Sequence, residues 1–159
     1  MKIPLFLRLI LLVLLLPWIP LPASASVLPE IPGFQGEEER IFPLSSAAGS
    51  VGQWTLRIYS KENGNRLKVT LLTGTGPGVF SPANDEEKKD DRPIGFGSTY
   101  EILSLGERRA VLEEVPSLGL ALAVPLDKEG SLTLESSSLS REEILSAALA
   151  LLQTINTQK

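Results

Sequence analysis

The chain has 159 residues with 15 basic and 19 acidic side chains, no cysteine and no histidine. A net charge of −4 argues against nucleic acid as a partner, because phosphate binding requires basic groups that displace counterions. Without histidine the commonest general base near neutral pH is missing. Without cysteine there are no thiol nucleophiles, thiolate metal sites or thioether haem attachments.

The chain opens with Lys2 and Arg8, continues with the apolar run Leu9–Leu16, and then meets Pro17, Pro20 and Pro22 before Ala23-Ser24-Ala25. A basic start, an apolar centre and an A-x-A site predict a signal peptide over residues 1–25, cleaved after Ala25. The alternative is a retained N-terminal membrane anchor. A spanning helix needs about 20 apolar residues, and Arg8 and the prolines interrupt this one. Cleavage leaves 134 residues, with 13 basic against 19 acidic side chains and a net charge of −6. That length suits one domain of about 100–150 residues, held by its core without disulfides.

Residues 26–52 are rich in Pro, Gly, Ser and Glu and read as an N-terminal spacer that docks through Phe34, Ile41, Phe42 and Leu44. A short strand is read near Glu39–Leu44. Residues 53–157 read as a single α+β domain. In residues 53–60, Trp54, Leu56 and Ile58 alternate with Thr55, Arg57 and Tyr59, the half-buried strand signal. The first set is expected in the core. Arg57 and Tyr59, with Lys68 from the next strand, are expected on an outer polar face. Asn63-Gly64 predicts a hairpin into the strand at 66–72, where Leu67, Val69 and Leu71 point inward.

A loop follows at 74–97. Its segment Asp85, Glu86, Glu87, Lys88, Lys89, Asp90 and Asp91 is a candidate partner-binding loop, since loops carry binding residues disproportionately. Phe80, Phe96 and Tyr100 flank it as a candidate pocket wall. The acidic run has no internal glycine turn and two lysines within it, so it does not match a calcium loop. Thr73–Gly78 is glycine-rich but completes neither nucleotide-loop spacing.

Further strands are predicted at 98–105, 108–115, 118–126 and 131–136. The third is apolar on both faces, with Leu118, Leu120, Leu122 and Val124 on one side, and so reads as central and covered on both sides. Ser140 stands three residues before Glu143, a capping box. Ile144, Ala148, Leu151, Leu152 and Ile155 then repeat at helical spacing, widened by Leu145 and Leu149. The expected architecture is an antiparallel sheet of five to six strands with a C-terminal amphipathic helix on one face. Residues 98–155 resemble, in pattern alone, the extracytoplasmic parts of small bacterial exported proteins.

No catalytic residue, cofactor or metal site is read from the chain. The expected role is an exported non-catalytic cell-envelope domain, secreted or periplasmic, that binds an envelope protein. A small-ligand carrier or sensor is the alternative. A third reading, a carboxylate-dependent hydrolase, requires two of Glu101, Glu113, Glu114 and Asp127 to face each other. A membrane is a partner only if the N-terminal segment is retained.

Overall fold

The computed structural model describes residues 26–74, 89–90, 97–126 and 130–157. The predicted leader and most of the 74–97 loop lie outside the described residues. The strands are β1 (Gln35–Gly36), β2 (Arg40–Ser46), β3 (Gly49–Ser60), β4 (Arg66–Thr73), β5 (Lys89–Asp90), β6 (Thr99–Leu105), β7 (Arg108–Val115), β8 (Gly119–Pro125) and β9 (Gly130–Ser136). One helix, α1 (Arg141–Thr157), follows.

The fold is α+β, as the alternating strands and the capped helix predict. The count of five to six strands is too low: nine described strands form one antiparallel sheet, in the order β1-β3-β4-β9-β8-β7-β6-β5, with β2 also paired to β3. The unforeseen strands, β1 and β5, are only two residues long, and β2 is the short strand expected near Glu39–Leu44. β2 is an edge strand whose side chains are nearly all exposed, so no inward alternation marks it. Pro43 within it fits an edge, where a missing N–H costs no ladder bond.

Cross-strand register shows which side chains share a face, because directly opposed residues point the same way. Arg57, Val69, Leu134, Leu122 and Leu112 form one row across five strands. Thr55, Leu71, Leu132 and Val124 form the next. On this face α1 lays down Ile144, Ala147, Ala148, Leu151 and Leu152, all buried. Fully burying a leucine or isoleucine is worth roughly 1.5–3 kcal/mol, so this layer dominates stability. Leu145 is only partly buried, and Leu149 is 38% exposed rather than part of the buried stripe. Ala147 takes its place in the core.

The helix begins as its capping box predicts. The Glu143 N–H donates to Ser140 Oγ at 3.3 Å, and the Ser140 N–H donates back to Glu143 Oε2 at 2.8 Å. Lys61 Nζ donates to the other Glu143 oxygen at 2.5 Å. The lysine bond, and then the Ser140 N–H, hold the Glu143 carboxyl below its ordinary range.

Two placements overturn the expected phases. On β3 the buried residues are Thr55, Arg57 and Tyr59, while Trp54 is 39% exposed on the other side. Lys68 pairs with Ile58, so it lies on the opposite face from Arg57 and Tyr59. Leu118 is not inward but 68% exposed, in the turn between β7 and β8 where Ser117 adopts φ 70°. β8 is central, as its apolar sequence predicts, between β7 and β9, but among the described residues it is covered on one face alone; its small Ala121 and Ala123 lie on the other.

Residues 26–36 form a strap across the covered face. Leu28 and Ile31 enter the core, and Phe34 packs at its margin beneath Lys61, whose Nζ stands 5.0 Å from the ring centroid. The spacer is thus docked, through Leu28, Ile31 and Phe34. Of the expected anchors, Phe34 packs against the core and Leu44 is half-buried on β2, whereas Ile41 and Phe42 are 50% and 43% exposed.

Candidate functional site

Two features concentrate what this fold offers for recognition: the uncovered face of the sheet and the polar hub beneath the strap. The hub is built on Arg57, which the phase of β3 turns inward. Its Nε donates to the Glu37 carbonyl at 3.0 Å and one terminal nitrogen donates to the Leu28 carbonyl at 2.5 Å. The other terminal nitrogen pairs with the Glu30 carboxylate. Gly36 leaves the space the guanidinium occupies; a Cβ there would collide with it. Burial opposes the charge of Arg57, but the bond to Glu30 and its charge outweigh this and raise the arginine above its ordinary value.

Tyr59 lies beside it, its ring centroid 5.1 Å from the guanidinium carbon and its hydroxyl donating to the Pro29 carbonyl at 2.7 Å. Burial pushes the phenol up to about 12, against the opposing pull of Arg57. Glu39 completes the hub by accepting from Ser26 Oγ at 2.8 Å, the Val27 N–H at 3.2 Å and the Leu28 N–H at 2.7 Å. Every polar group here is engaged in holding chain to chain. The hub is a clamp for the strap.

The other face of the sheet is different in kind. Leu56, Thr70, Thr133, Ala123, Val111 and Ile102 form a row across β3, β4, β9, β8, β7 and β6. The parallel row is Ile58, Lys68, Glu135, Ala121, Glu113 and Tyr100, with Lys68 and Glu135 in an ion pair at 2.6 Å. On the side toward the edge, Phe42 pairs with Trp54 and Trp54 with Leu72; the two rings stand 5.5 Å apart and tilted by 40°. Among the described residues no helix or strap segment lies over these rows; α1 packs on the opposite face against β8 and β9.

A solvated face of an antiparallel sheet normally alternates to polar side chains. Here Phe42, Trp54, Leu56, Ile58, Leu72, Val111 and Ile102 hold those positions. At one end of the face a shallow depression of about 420 Å³ is walled by Ile58, Lys68, Leu118, Ala121 and Glu135. The exposed Leu118 projects beside it from a turn that forces a non-glycine residue into positive φ.

Of the residues singled out in the sequence, Asp85, Glu86, Glu87, Lys88, Asp91, Phe80 and Phe96 lie outside the described residues. Lys89 and Asp90 pair in register with Tyr100 and Thr99 as β5. Tyr100 sits on the open face, opposite Glu113. Of the acids proposed for hydrolysis, Glu101 and Glu114 share one face of the sheet, and both act on Arg141. Glu101 is bound by Arg141 at 2.5 and 2.7 Å, Glu113 and Glu114 point to opposite faces of β7, and Asp127 lies outside the described residues. Among the described residues no group of acids is arranged to hold a metal ion, and no helix is long and apolar enough to cross a membrane.

The open face escaped sequence reasoning because Trp54, Leu56 and Ile58 look like core. The available signal was that both phases of β3 carry large side chains. Comparison with family models, with curated proteins and with solved structures finds no match to this chain.

Proposed function

We propose that this is an exported, non-catalytic domain of the cell envelope, secreted or periplasmic, that holds a partner protein on the open face of its sheet. One observation carries the reading: a row that is apolar except for Thr70 and Thr133 spans six strands on a face that no described element covers. Contiguous apolar surface rimmed by charge is characteristic of interaction sites. The face is broad and shallow, whereas small-molecule sites are concave and bury most of their ligand. A protein surface therefore fits it better than a metabolite. Lys68, Glu135 and Glu113 supply charge at the margin, where it sets orientation more than affinity. The leader-like N-terminus supports export, and the chemistry missing from the chain supports a binding role.

The test uses envelope extracts and the tagged processed chain. Val111→Lys and Ile102→Glu should retain the helical circular dichroism of the parent and lose a co-purifying partner by about tenfold or more, equivalent to about 1.4 kcal/mol. Leu149→Lys, on the helix side, should retain it. Equal recovery with all three variants would remove the open face from the account.

A further inference from the structure

The strap places Ser26, the first residue after the predicted cleavage site, against a carboxylate that has no cationic partner among the described residues. We propose that Glu39 is the seat for the α-ammonium group released when the chain is cut between Ala25 and Ser26. This rests on the reading of residues 1–25 as a cleaved leader.

Three contacts define the seat. The Ser26 hydroxyl donates to Glu39 Oε2 at 2.8 Å, the Val27 N–H to Oε1 at 3.2 Å, and the Leu28 N–H to Oε2 at 2.7 Å. The amino nitrogen of Ser26 is bonded to the same Cα as this side chain, whose hydroxyl lies 2.8 Å from both Glu39 Oε2 and the Leu28 carbonyl, which brings the nitrogen within reach of the carboxylate. Leu28, two residues on, is fully buried, which fixes the segment in place.

The charges are complementary. The groups facing Ser26 are Glu39, Glu30 and Arg57, with the neutral phenol of Tyr59 behind them. Glu30 is paired with Arg57, and the carboxylate of Glu37 is paired with Arg66 at 2.6 Å. Among the described residues Glu39 accepts only from the hydroxyl and the two amides. The hub therefore carries one uncompensated negative charge before cleavage. Hydrolysis of the peptide bond yields a carboxylate on the departing leader and an ammonium on Ser26, and the ammonium neutralises the hub. Processing and docking of the strap are thereby coupled.

The sign of the pH dependence follows. An ammonium paired with a carboxylate has a folded pKa above its unfolded value. Its contribution is complete below about 7.7–8.0, the ordinary range of an α-amine, and disappears as pH rises through the folded value.

The experiment compares the processed chain starting at Ser26 with the same chain acetylated on that residue, each with Glu39 and with Glu39→Gln. The α-amine pKa is read by NMR and the unfolding midpoint by circular dichroism. The free-amine chain should titrate about 0.5–1 unit above the ordinary range. It should also melt above its acetylated form at pH 6.5, and match it at pH 10.5. Glu39→Gln should abolish both differences. An unshifted α-amine, or a midpoint gap that survives Glu39→Gln, overturns the seat. The intact mass of the exported protein separately tests the leader: a first residue other than Ser26 contradicts the cleavage reading without touching the titration.

Discussion

Arg57 and Tyr59 lie on the covered face because of a single residue in the turn that precedes β4. A two-residue turn centred on Asn63-Gly64 would pair Ile58 with Val69 and send Trp54, Leu56 and Ile58 inward. The turn is longer: Lys61 N–H donates to the Asn65 carbonyl at 2.9 Å, Gly64 alone takes positive φ, and Tyr59 falls opposite Leu67. A one-residue slip moves every side chain of a strand to the other face. The burial of Tyr59 has a measurable consequence. In Tyr100→Phe, which leaves Tyr59 as the single tyrosine, absorbance titration should give a midpoint near 12. The raised value means that the neutral phenol stabilises the fold below about pH 10 and that this is lost as pH climbs through 12. A midpoint at 10.0 would place the ring in water. The hairpin itself was legible in the sequence. Its register was not, because Asn-Gly suits both a two-residue turn and a longer one with glycine in the left-handed position.

At the level of elements, the strap behaves as part of the core and the β2 edge does not. Leu28→Ala should destabilise by about 2–5 kcal/mol, the range for emptying a buried leucine site. Ile41→Ala, on a half-exposed edge position, should change stability by less than about 0.5 kcal/mol. Denaturant unfolding of both variants checks the contrast, and equal losses would contradict the assignment of Leu28 and Ile31 as the anchors. The helix was readable in advance because its cap, Ser140 with Glu143, and its stripe from Ile144 to Leu152 are local signals. The long strands were readable for the same reason. The strap was not, since Leu28 and Ile31 sit among prolines with no period, and of the two only Leu28 brings an acceptor, its carbonyl, to Arg57. β1 and β5 have too few residues to show any pattern.

For the whole molecule, the sheet is asymmetric. One face is closed by α1 and the strap, and the other presents Phe42, Trp54, Leu56, Val111 and Ile102 without a described cover. That asymmetry follows from packing: the one helix among the described residues and the strap both lie on the face to which the β3–β4 register turns Leu67, Val69 and Leu71. The charged segment 85–91 and its flanking rings Phe80 and Phe96 belong to the same region of sequence as β5, and only Lys89, Asp90 and Tyr100 of that set are placed. The open face is thus the broad apolar surface that the described residues leave for a partner. The most direct test of that role is photo-crosslinking in the exporting cell, with a photoreactive residue in place of Thr133 at the middle of that face or of Leu149 on the helix side. The account predicts a discrete protein adduct from position 133 that is absent from position 149; adducts from 149 alone, or none from 133, would contradict it.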